Sequence, residues 1–268
     1  MAAFDPKDKG VVVTGAGNGI GEALARELAA RGARVVVADL DADGAARTAG
    51  EITAAGGAAY AAPGDAASEE GVAALVATAR RELGTIDAWY ANAGVDRGRG
   101  LDTAESDWAL SLEVNVLAHV RAARLLVPDW VAAGSGRFVV TASAAGLLTM
   151  LGAPAYSVTK HAAVAFAEWL SATYRHRGVV VQAICPQGVR TRMLEQSGDL
   201  EELLSHDSAL TPEQVATQAV DALAGDEFLI LPHPEVARYY ATRAGATDTW
   251  LHGMNKLQQR LETKEADR

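Results

Sequence analysis

Tyr156 and Lys160 are the two residues of this sequence whose types and spacing most directly suggest chemistry. If their segment is helical, residues four apart lie on one face, so the ammonium is held next to the phenol. A fixed cation favours the phenolate and lowers its pKa from about 10. A lowering of about three units requires roughly 4 kcal/mol, which one unit charge about 4 Å away supplies at an effective dielectric near 20. The pair predicts a proton-transfer catalyst, although the same spacing is common on solvated helix faces.

These two residues need a fold that holds them against a ligand, and the rest of the sequence indicates which fold that is. Short apolar runs alternate with longer segments of helical period, which is the pattern of βαβ units and a parallel sheet. Strands are predicted at residues 11–14, 34–39, 58–62, 88–91, 137–142, 179–185 and 228–231. Helices are predicted near residues 20–31, 42–55, 68–83, 103–133, 155–177, 212–224, 234–244 and 247–261. The predicted fold class is therefore α/β, with a doubly wound, seven-stranded parallel sheet that has helices on both faces.

The sequence also predicts how the chain is divided. No Pro-rich or Gly-rich linker interrupts it, so residues 1–268 are expected to form a single domain. Residues 187–210 have no clear periodicity, and a long irregular stretch inside a compact domain is usually a binding loop, so a substrate loop is predicted there. The last two predicted helices form a C-terminal helical extension at about residues 233–262.

Composition argues against several classes of function. The 34 acidic and 24 basic residues give a formal net charge of -10, which opposes general affinity for nucleic acid or an anionic membrane surface. The single cysteine, Cys185, excludes an intrachain disulfide and fits a reducing compartment. The first residues lack an apolar signal-peptide core and no apolar run is long enough to span a bilayer, so a cytoplasmic protein is expected. The histidines have no paired spacing on one helix face, so no metal site is predicted.

A glycine-rich turn follows the first predicted strand and leads into a helix. Gly15, Gly19 and Gly21 let the backbone turn tightly and approach a pyrophosphate, which then sits on the helix N-terminus. Such a turn alone could be no more than a flexible connection. Its place between a strand and a helix favours a dinucleotide-binding site.

Asp39 ends the second predicted strand, where an acidic side chain can accept hydrogen bonds from both ribose hydroxyls of an adenosine. The same carboxylate would repel a 2′-phosphate by roughly 1 to 4 kcal/mol, depending on the local dielectric. Its sequence neighbours, Ala38 and Leu40, offer no cation to offset that repulsion, so NAD is favoured over NADP. The alternative is that Asp39 caps a helix, as Asp41 or Asp43 in the same turn could also do.

With these residues in place, the sequence resembles the short-chain dehydrogenase/reductase family, in its common subclass, over nearly the whole chain. The matching elements occur in the family's order: Thr14-Gly-x-x-x-Gly-x-Gly21, Asp65, Asn92-Ala93-Gly94, Asn115, Ser143, Tyr156-x-x-x-Lys160 and Pro186 to Thr191. Ser143 precedes Tyr156 by a spacing that is typical of that family. The resemblance implies a Rossmann fold with the site at the C-terminal ends of its strands.

The resemblance also implies roles in cofactor binding. Asp65 would contact the adenine, Asn92 to Gly94 would line the ribose, and Thr191 would meet the nicotinamide carboxamide. Two alternatives remain: the Asn92 segment suits a purely structural turn, and Asp65 could initiate the following helix. The full implied cofactor set is Gly15, Asn18, Gly19, Ile20, Gly21, Asp39, Asp65, Asn92, Ala93, Gly94, Tyr156, Lys160, Pro186, Val189 and Thr191.

The implied catalytic set is Asn115, Ser143, Tyr156 and Lys160. In this set Tyr156 is the general acid/base and Lys160 the cation that tunes it. Ser143 would donate a hydrogen bond to the reacting oxygen, or could instead cap the next turn. Asn115 would hold a water near Lys160 for proton relay, or could make an ordinary interhelical hydrogen bond.

Several positions bear on the substrate pocket. Ala91 and Gln187 stand where the family often has Asn and Gly, and a long amide at 187 could narrow the pocket or bind the substrate. An apolar pocket is expected from Leu147, Leu148, Met150, Leu151 and the 187–210 loop. Arg190 and Arg192 could meet an anionic substrate group or be solvated. The tryptophans Trp108, Trp130, Trp169 and Trp250 are expected in the core or in subunit contacts rather than against a ligand.

The resulting prediction is an NAD-dependent dehydrogenase that interconverts a secondary alcohol and its ketone by hydride transfer. The alternatives are an enzyme like a 3-oxoacyl carrier-protein reductase and a non-catalytic NAD-binding sensor. The expected partners are a small, apolar alcohol or ketone and further copies of the chain in a homotetramer or homodimer. No nucleic acid or membrane partner is expected.

Overall fold

The computed structural model of the protein describes residues 4–195 and 209–266. The strands are β1 (Gly10–Thr14), β2 (Arg34–Asp39), β3 (Ala58–Pro63), β4 (Ala88–Ala91), β5 (Gly136–Thr141), β6 (Val179–Ile184) and β7 (Leu229–Ile230). The α-helices are α1 (Gly19–Ala30), α2 (Ala42–Ala54), α3 (Glu69–Leu83), α4 (Glu105–Leu112), α5 (Ala118–Ala133), α6 (Ala145–Leu148), α7 (Pro154–Tyr174), α8 (Arg192–Glu195), α9 (Pro212–Asp221), α10 (Glu235–Gly245) and α11 (Thr247–Ala266).

The strands form one parallel sheet in the order β3-β2-β1-β4-β5-β6-β7. The chain winds outward from β1 to β3 in one direction and from β4 to β7 in the other. The direction of winding therefore reverses between β1 and β4, and a crevice opens there at the carboxyl ends of the strands. This topology confirms the predicted α/β fold with a seven-stranded, doubly wound Rossmann sheet.

Valine-rich strands explain why the sheet is buried on both faces. Successive residues of a strand point to opposite faces, and helices cover both faces of a parallel sheet. Val12 and Val36 accordingly lie in the buried cluster on one face, whereas Val11, Val13 and Val35 lie in the cluster on the other. The central strands are thus held rigidly, which fixes the positions of the residues that follow each strand.

The helix predicted at residues 103–133 is not continuous. Helix α4 ends at Leu112, a π-helical turn spans Glu113–Leu117, and α5 begins at Ala118. Apolar periodicity continues across the turn, so the sequence pattern gave no sign of it. The buried Asn115 lies in this turn, which is consistent with the frequent occurrence of π-helical turns at functional sites.

The C-terminal extension forms two helices, α10 and α11, close to the predicted ranges. The last strand, β7, is only two residues long, shorter than the four predicted. Among the described residues, no helix is both long and apolar enough to cross a bilayer.

Candidate active site

The glycine-rich turn between β1 and α1 is shaped by close backbone contacts. Gly15 and Gly19 have φ angles of +63° and +56°, in the left-handed region that favours glycine. A Cβ on Gly21 would lie 2.1 Å from the carbonyl oxygen of Gly15 and 2.4 Å from the side-chain nitrogen of Asn92. Asn18 precedes α1 without making a capping hydrogen bond, so its side chain is available to the neighbouring cavity.

Asp41 is the helix cap among the aspartates of this turn, and the ribose role of Asp39 stays a prediction. One oxygen of the Asp39 carboxylate accepts a hydrogen bond from the Gly17 N–H at 2.7 Å, and the other accepts from the Asp41 N–H at 2.9 Å. The N-cap of α2 is Asp41, whose side chain accepts from the Asp43 N–H. Asp39 is therefore held beside the glycine-rich turn, where it faces the cavity.

Asp65 and Asn92 both combine a local structural role with a place on the cavity wall. The Asp65 carboxylate accepts from the backbone N–H groups of Ala67 at 2.8 Å and Ser68 at 3.2 Å. Its interaction with the Ser68 side-chain hydroxyl is the main cause that lowers its pKa. The Asn92 amide donates to the carbonyl oxygens of Thr14 at 2.9 Å and Gly15 at 3.2 Å. Asn92 thereby ties the end of β4 to the glycine-rich turn.

Ser143, Tyr156 and Lys160 lie together at the carboxyl end of β5 and on α7. The Lys160 ammonium is 5.5 Å from the centre of the Tyr156 ring and donates to the Thr141 carbonyl oxygen at 2.9 Å. Ser143 makes a side-chain hydrogen bond with Tyr156, and its hydroxyl oxygen accepts from the Ala145 N–H at 3.0 Å. The serine hydroxyl therefore starts a short helix and faces the phenol at the same time.

Burial shifts the pKa values of the pair in opposite directions. It raises the pKa of the Tyr156 phenol to about 12, partly offset by the hydrogen bond with Ser143, and the nearby Asp96 carboxylate raises it further. Burial lowers the pKa of the Lys160 ammonium to about 8. The raised phenol pKa is the reverse of the shift predicted from the spacing alone, because that argument did not include desolvation.

Asn115 does not line the cavity, but it braces the residues that do. Its side-chain oxygen accepts from the Val95 N–H at 2.9 Å, while its nitrogen donates to the Val95 carbonyl at 2.9 Å and the Thr159 hydroxyl at 3.0 Å. A Cβ on Gly94 would lie 3.3 Å from both the Asn115 oxygen and the Lys160 nitrogen. The interhelical hydrogen bond is thus present, and the role in proton relay stays a prediction.

The segment after β6 completes the wall. Pro186, Val189 and Thr191 face the cavity, and the Pro186 carbonyl accepts from the Ala144 N–H at 2.8 Å, next to Ser143. The two ends of the predicted 187–210 loop meet, because the Arg190 N–H donates to the Leu210 carbonyl at 2.9 Å. Residues 196–208 of that loop lie outside the described residues.

One cavity of about 800 Å³ collects these groups. Its wall includes every residue predicted to bind the cofactor, together with Ser143. One end, between Asp39 and Asp65, is lined by the glycine-rich turn, and the other end is lined by apolar side chains beyond Tyr156. Such a cavity can hold a long dinucleotide and a second, apolar molecule side by side.

Residues 9–202 match the family model described as short chain dehydrogenase. The chain belongs to the short chain dehydrogenase family. It is therefore an oxidoreductase by family, and the resemblance inferred from the motifs is confirmed.

Three known proteins are similar to this short chain dehydrogenase, two of them in sequence and one in structure. The 1-deoxy-11-beta-hydroxypentalenate dehydrogenase of Streptomyces exfoliatus is 35% identical over 252 residues, which is 91% of this chain and 89% of that protein. The cyclohexanol dehydrogenase of Acinetobacter sp. (strain SE19) is 31% identical over 225 residues, covering 82% of this chain and 89% of that protein. A short chain dehydrogenase/reductase from Burkholderia phymatum, solved in complex with NAD, superposes with a TM-score of 0.86 at 28% identity and covers 92% of this chain and 96% of its own.

The structure of this short chain dehydrogenase also shows cavity residues that the sequence did not indicate. Trp250 packs against the buried core, as expected, but it also lines the cavity, which the sequence did not indicate. Arg97 lines it too, whereas Arg190 and Arg192 are not among the described residues on its wall. Leu147 is buried in the core instead of facing the cavity. None of these positions is set by a local pattern, since each depends on how distant segments pack.

Arg47 is a cation near the glycine-rich turn that the sequence did not indicate. Its guanidinium on α2 donates to the Gly17 carbonyl oxygen and lies 3.1 Å from the Glu22 carboxylate. The Gly17 N–H in turn donates to Asp39, so a cation does lie at this corner, although none is adjacent to Asp39 in sequence. Among the described residues, no group of three His, Cys, Asp or Glu side chains is arranged to hold a metal ion.

Proposed function

We propose that this protein is an NAD-dependent dehydrogenase that interconverts a secondary alcohol and its ketone, with Tyr156 as the general acid/base. The observation that carries the proposal is that Ser143, Tyr156 and Lys160 meet on the wall of one cavity that Asp39 also lines, with the Lys160 nitrogen 5.5 Å from the centre of the Tyr156 ring. The two named alcohol dehydrogenases among the relatives and the neighbour solved with NAD support the same reaction class.

The residues of the cavity fit a dinucleotide. A side chain at Gly21 would collide with the Gly15 carbonyl, and one at Gly15 with the Ala93 backbone, so the glycines let the turn pack tightly before the N-terminus of α1, where a phosphate can bind. Asp39 has both oxygens turned to backbone N–H groups near the turn, where they can also accept from ribose hydroxyls. NAD, when bound, supplies the acceptor for the hydride of the alcohol carbon.

Ser143, Tyr156 and Lys160 would handle the proton on the substrate oxygen. The Ser143 oxygen accepts from the Ala145 N–H, and its O–H, which contacts the Tyr156 phenol, would turn to donate to a substrate oxygen bound between the two side chains, where negative charge develops. With a pKa of about 12 the phenol is protonated at neutral pH, which suits it to donate a proton to a ketone. For alcohol oxidation, added positive charge must lower that pKa, and Lys160 and a cationic cofactor ring both act in that direction.

Replacement of Tyr156 by Phe tests the chemical role directly. We expect Tyr156→Phe to lower kcat for any alcohol that is oxidised by about a hundredfold or more, because the proton transfer is lost. The affinity for NAD, measured by calorimetry, should change little, since the ring remains in place. Turnover is followed as NADH absorbance with a panel of secondary alcohols.

Tyr90→Phe is the matched control. Tyr90 is fully buried, and its hydroxyl has no hydrogen-bond partner among the described residues. Removing that hydroxyl should leave turnover unchanged. If Tyr156→Phe retained full activity, Tyr156 would not be the acid/base; tight NAD binding without turnover of any alcohol by the unaltered protein would favour the sensor alternative.

A further inference from the structure

The C-terminal helices α10 and α11 form a hairpin that covers the apolar end of the cavity. Helix α10 packs on α6, the short helix that follows Ser143, and α11 packs on α10. Tyr239 of α10 and Trp250 of α11 contact each other, with ring centroids 6.2 Å apart. Both rings lie on the cavity wall.

Two hydrogen bonds attach this hairpin to the catalytic segments. The buried His233, just before α10, accepts at Nδ1 from the Gln187 N–H at 3.1 Å. Arg243 of α10 donates to the Leu147 carbonyl oxygen of α6. The hairpin is thereby connected to both loops that border Tyr156, the one after β5 and the one after β6. Gln187, an unusual residue for this position, takes part in one of these connections through its backbone.

Helix α11 presents one apolar stripe to the cavity. Trp250, Met254 and Leu257 follow the spacing of one helix face, and all three line the cavity. They are only half-buried, whereas Leu251, adjacent in sequence to Trp250, is 57% exposed on the outside. The stripe therefore faces the cavity, and a ligand there would remove more of its apolar surface from water.

The facing walls are mostly apolar, with the exposed Arg97 side chain as a polar exception. Leu110 and Val114 contribute from the α4 side, and Leu148, Met150 and Leu151 contribute from the segment after Ser143. The Asp96 carboxylate in this region already pairs with Arg99 through both oxygens, at 2.8 and 3.0 Å. A polyol would leave hydroxyls unpaired against such walls, and each buried unpaired hydroxyl is costly.

We propose that this hairpin is the specificity wall of the active site and selects secondary alcohols whose carbinol carbon belongs to a bulky, rigid hydrocarbon body of fused or bridged rings. Large apolar area is needed to cover the stripe, and a ring system loses little conformational freedom when it binds. This inference rests on the proposed function for its reaction, but it assigns Trp250 and Met254 as specificity-determining residues independently of it.

The test compares alcohols of different size in matched variants. The kcat/KM values for isopropanol, cyclohexanol and the rigid bicyclic alcohols borneol and decahydronaphthol are measured with saturating NAD. The unaltered protein should prefer the bicyclic alcohols to isopropanol by about a hundredfold. Trp250→Ala should reduce that ratio by about tenfold or more, while the NAD affinity stays the same. Leu251→Ala, on the outer face of the same helix, should leave the ratio unchanged.

Binding measurements separate this inference from the reaction itself. Calorimetry with camphor and decalone, the ketones of the bicyclic alcohols, is carried out on the protein saturated with NAD, which cannot reduce a ketone, so that the heat reports binding alone. If no alcohol is turned over but Trp250→Ala still weakens ketone binding, the specificity role of the hairpin is supported and the proposed reaction is contradicted. A second variant, Met254→Ser, keeps the Trp250 ring and should weaken ketone binding by placing a hydroxyl on the wall.

Three outcomes would overturn the proposal. One is an unaltered protein with no preference for bicyclic alcohols or ketones. Another is an equal loss for isopropanol and borneol in Trp250→Ala, which would indicate a general structural effect. The third is dissociation of an oligomer in Trp250→Ala with unchanged selectivity, seen by sedimentation, which would make α11 a contact between subunits.

Discussion

At the scale of single residues, Tyr156 and Lys160 together hold one positive charge at neutral pH. The raised phenol pKa of about 12 keeps Tyr156 neutral, and the lowered ammonium pKa of about 8 still leaves Lys160 mostly charged at pH 7. The charge is directed to the Thr141 carbonyl at 2.9 Å rather than to the phenol itself. The pair thus provides a positive environment for a substrate oxygen that gains negative charge.

Asp39 gives a prediction about the choice of cofactor. Asp39→Ala removes a carboxylate that would repel a 2′-phosphate by roughly 1 to 4 kcal/mol. We expect the ratio of kcat/KM with NAD to that with NADP to fall by about tenfold or more. Arg47, which donates to the Gly17 carbonyl nearby, would then favour the phosphate.

Asp43→Ala serves as the control for that measurement. Asp43 is an exposed acidic residue of the same turn whose contact is made by its backbone N–H. It should leave the cofactor ratio unchanged. An unaltered ratio in Asp39→Ala would refute the ribose role of Asp39.

The candidate residues differ in how far the sequence could predict them. Gly15, Asp39, Ser143 and Lys160 lie in motifs whose order and spacing are visible in the chain, and the structure brings them to one cavity. Trp250 reaches the same cavity from a helix that lies 90 residues beyond Lys160 in sequence, so no local pattern reveals it. The direction of the pKa shift of Tyr156 could not be predicted from the sequence either, because desolvation depends on the packing around the phenol.

At the scale of elements, the close contact between Gly21 and Gly15 in the glycine-rich turn can be tested by substitution. Gly21→Ala would force a Cβ to within 2.1 Å of the Gly15 carbonyl oxygen, and a backbone atom cannot move aside cheaply. We expect a loss of about 1 to 3 kcal/mol in the free energy of unfolding and a weaker affinity for NAD. Denaturant unfolding and calorimetry measure the two effects.

Gly50→Ala is the control for that test. Gly50 lies in helix α2, and a Cβ there would have no neighbour within 4 Å. Since alanine is the better helix former, Gly50→Ala should stabilise the protein by up to about 1 kcal/mol and leave the NAD affinity unchanged. Equal behaviour of the two variants would contradict the close contact at Gly21.

Elements whose periodicity is regular were predicted well, and those set by long-range contacts were not. The strands of the central sheet and α7 follow from apolar runs and helical spacing in the sequence. The π-helical turn could not be predicted in this way, because Asn115 within it forms hydrogen bonds with Val95 and Thr159, which lie in other segments of the chain. Apolar periodicity carries no information about such distant partners.

At the scale of the whole molecule, the outer faces of the long helices predict association with further copies of the chain. Leu112, Leu117 and Leu125 lie on α4, the π-helical turn and α5, and Val158 and Trp169 lie on α7. All five are more than a third exposed, and Trp169 reaches 55%. Exposed apolar surface of this kind marks interaction sites, so we expect a homotetramer or homodimer built through these faces.

Sedimentation, which measures the mass of the species in solution, tests that prediction. A species of two or four times the 27.9 kDa chain mass is expected, and a single species at the chain mass would contradict it. Trp169→Glu should shift the distribution towards smaller species, because a buried charge would oppose the contact. Glu168→Gln, next to it in sequence, is the control and should leave the distribution as it is.

The π-helical turn at Glu113–Leu117 affects how sequences of relatives are compared with this one. Such a turn accommodates about one residue more than an α-helical turn, and one residue rotates the following helix by about 100°. An alignment gap of a single residue here would therefore represent a change in helix phase rather than a shortened loop. Leu110, before the turn, and Val114, within it, would then face a different direction from the one they take here. Gap placement in this short stretch thus carries information about the shape of the pocket that percentage identity does not record.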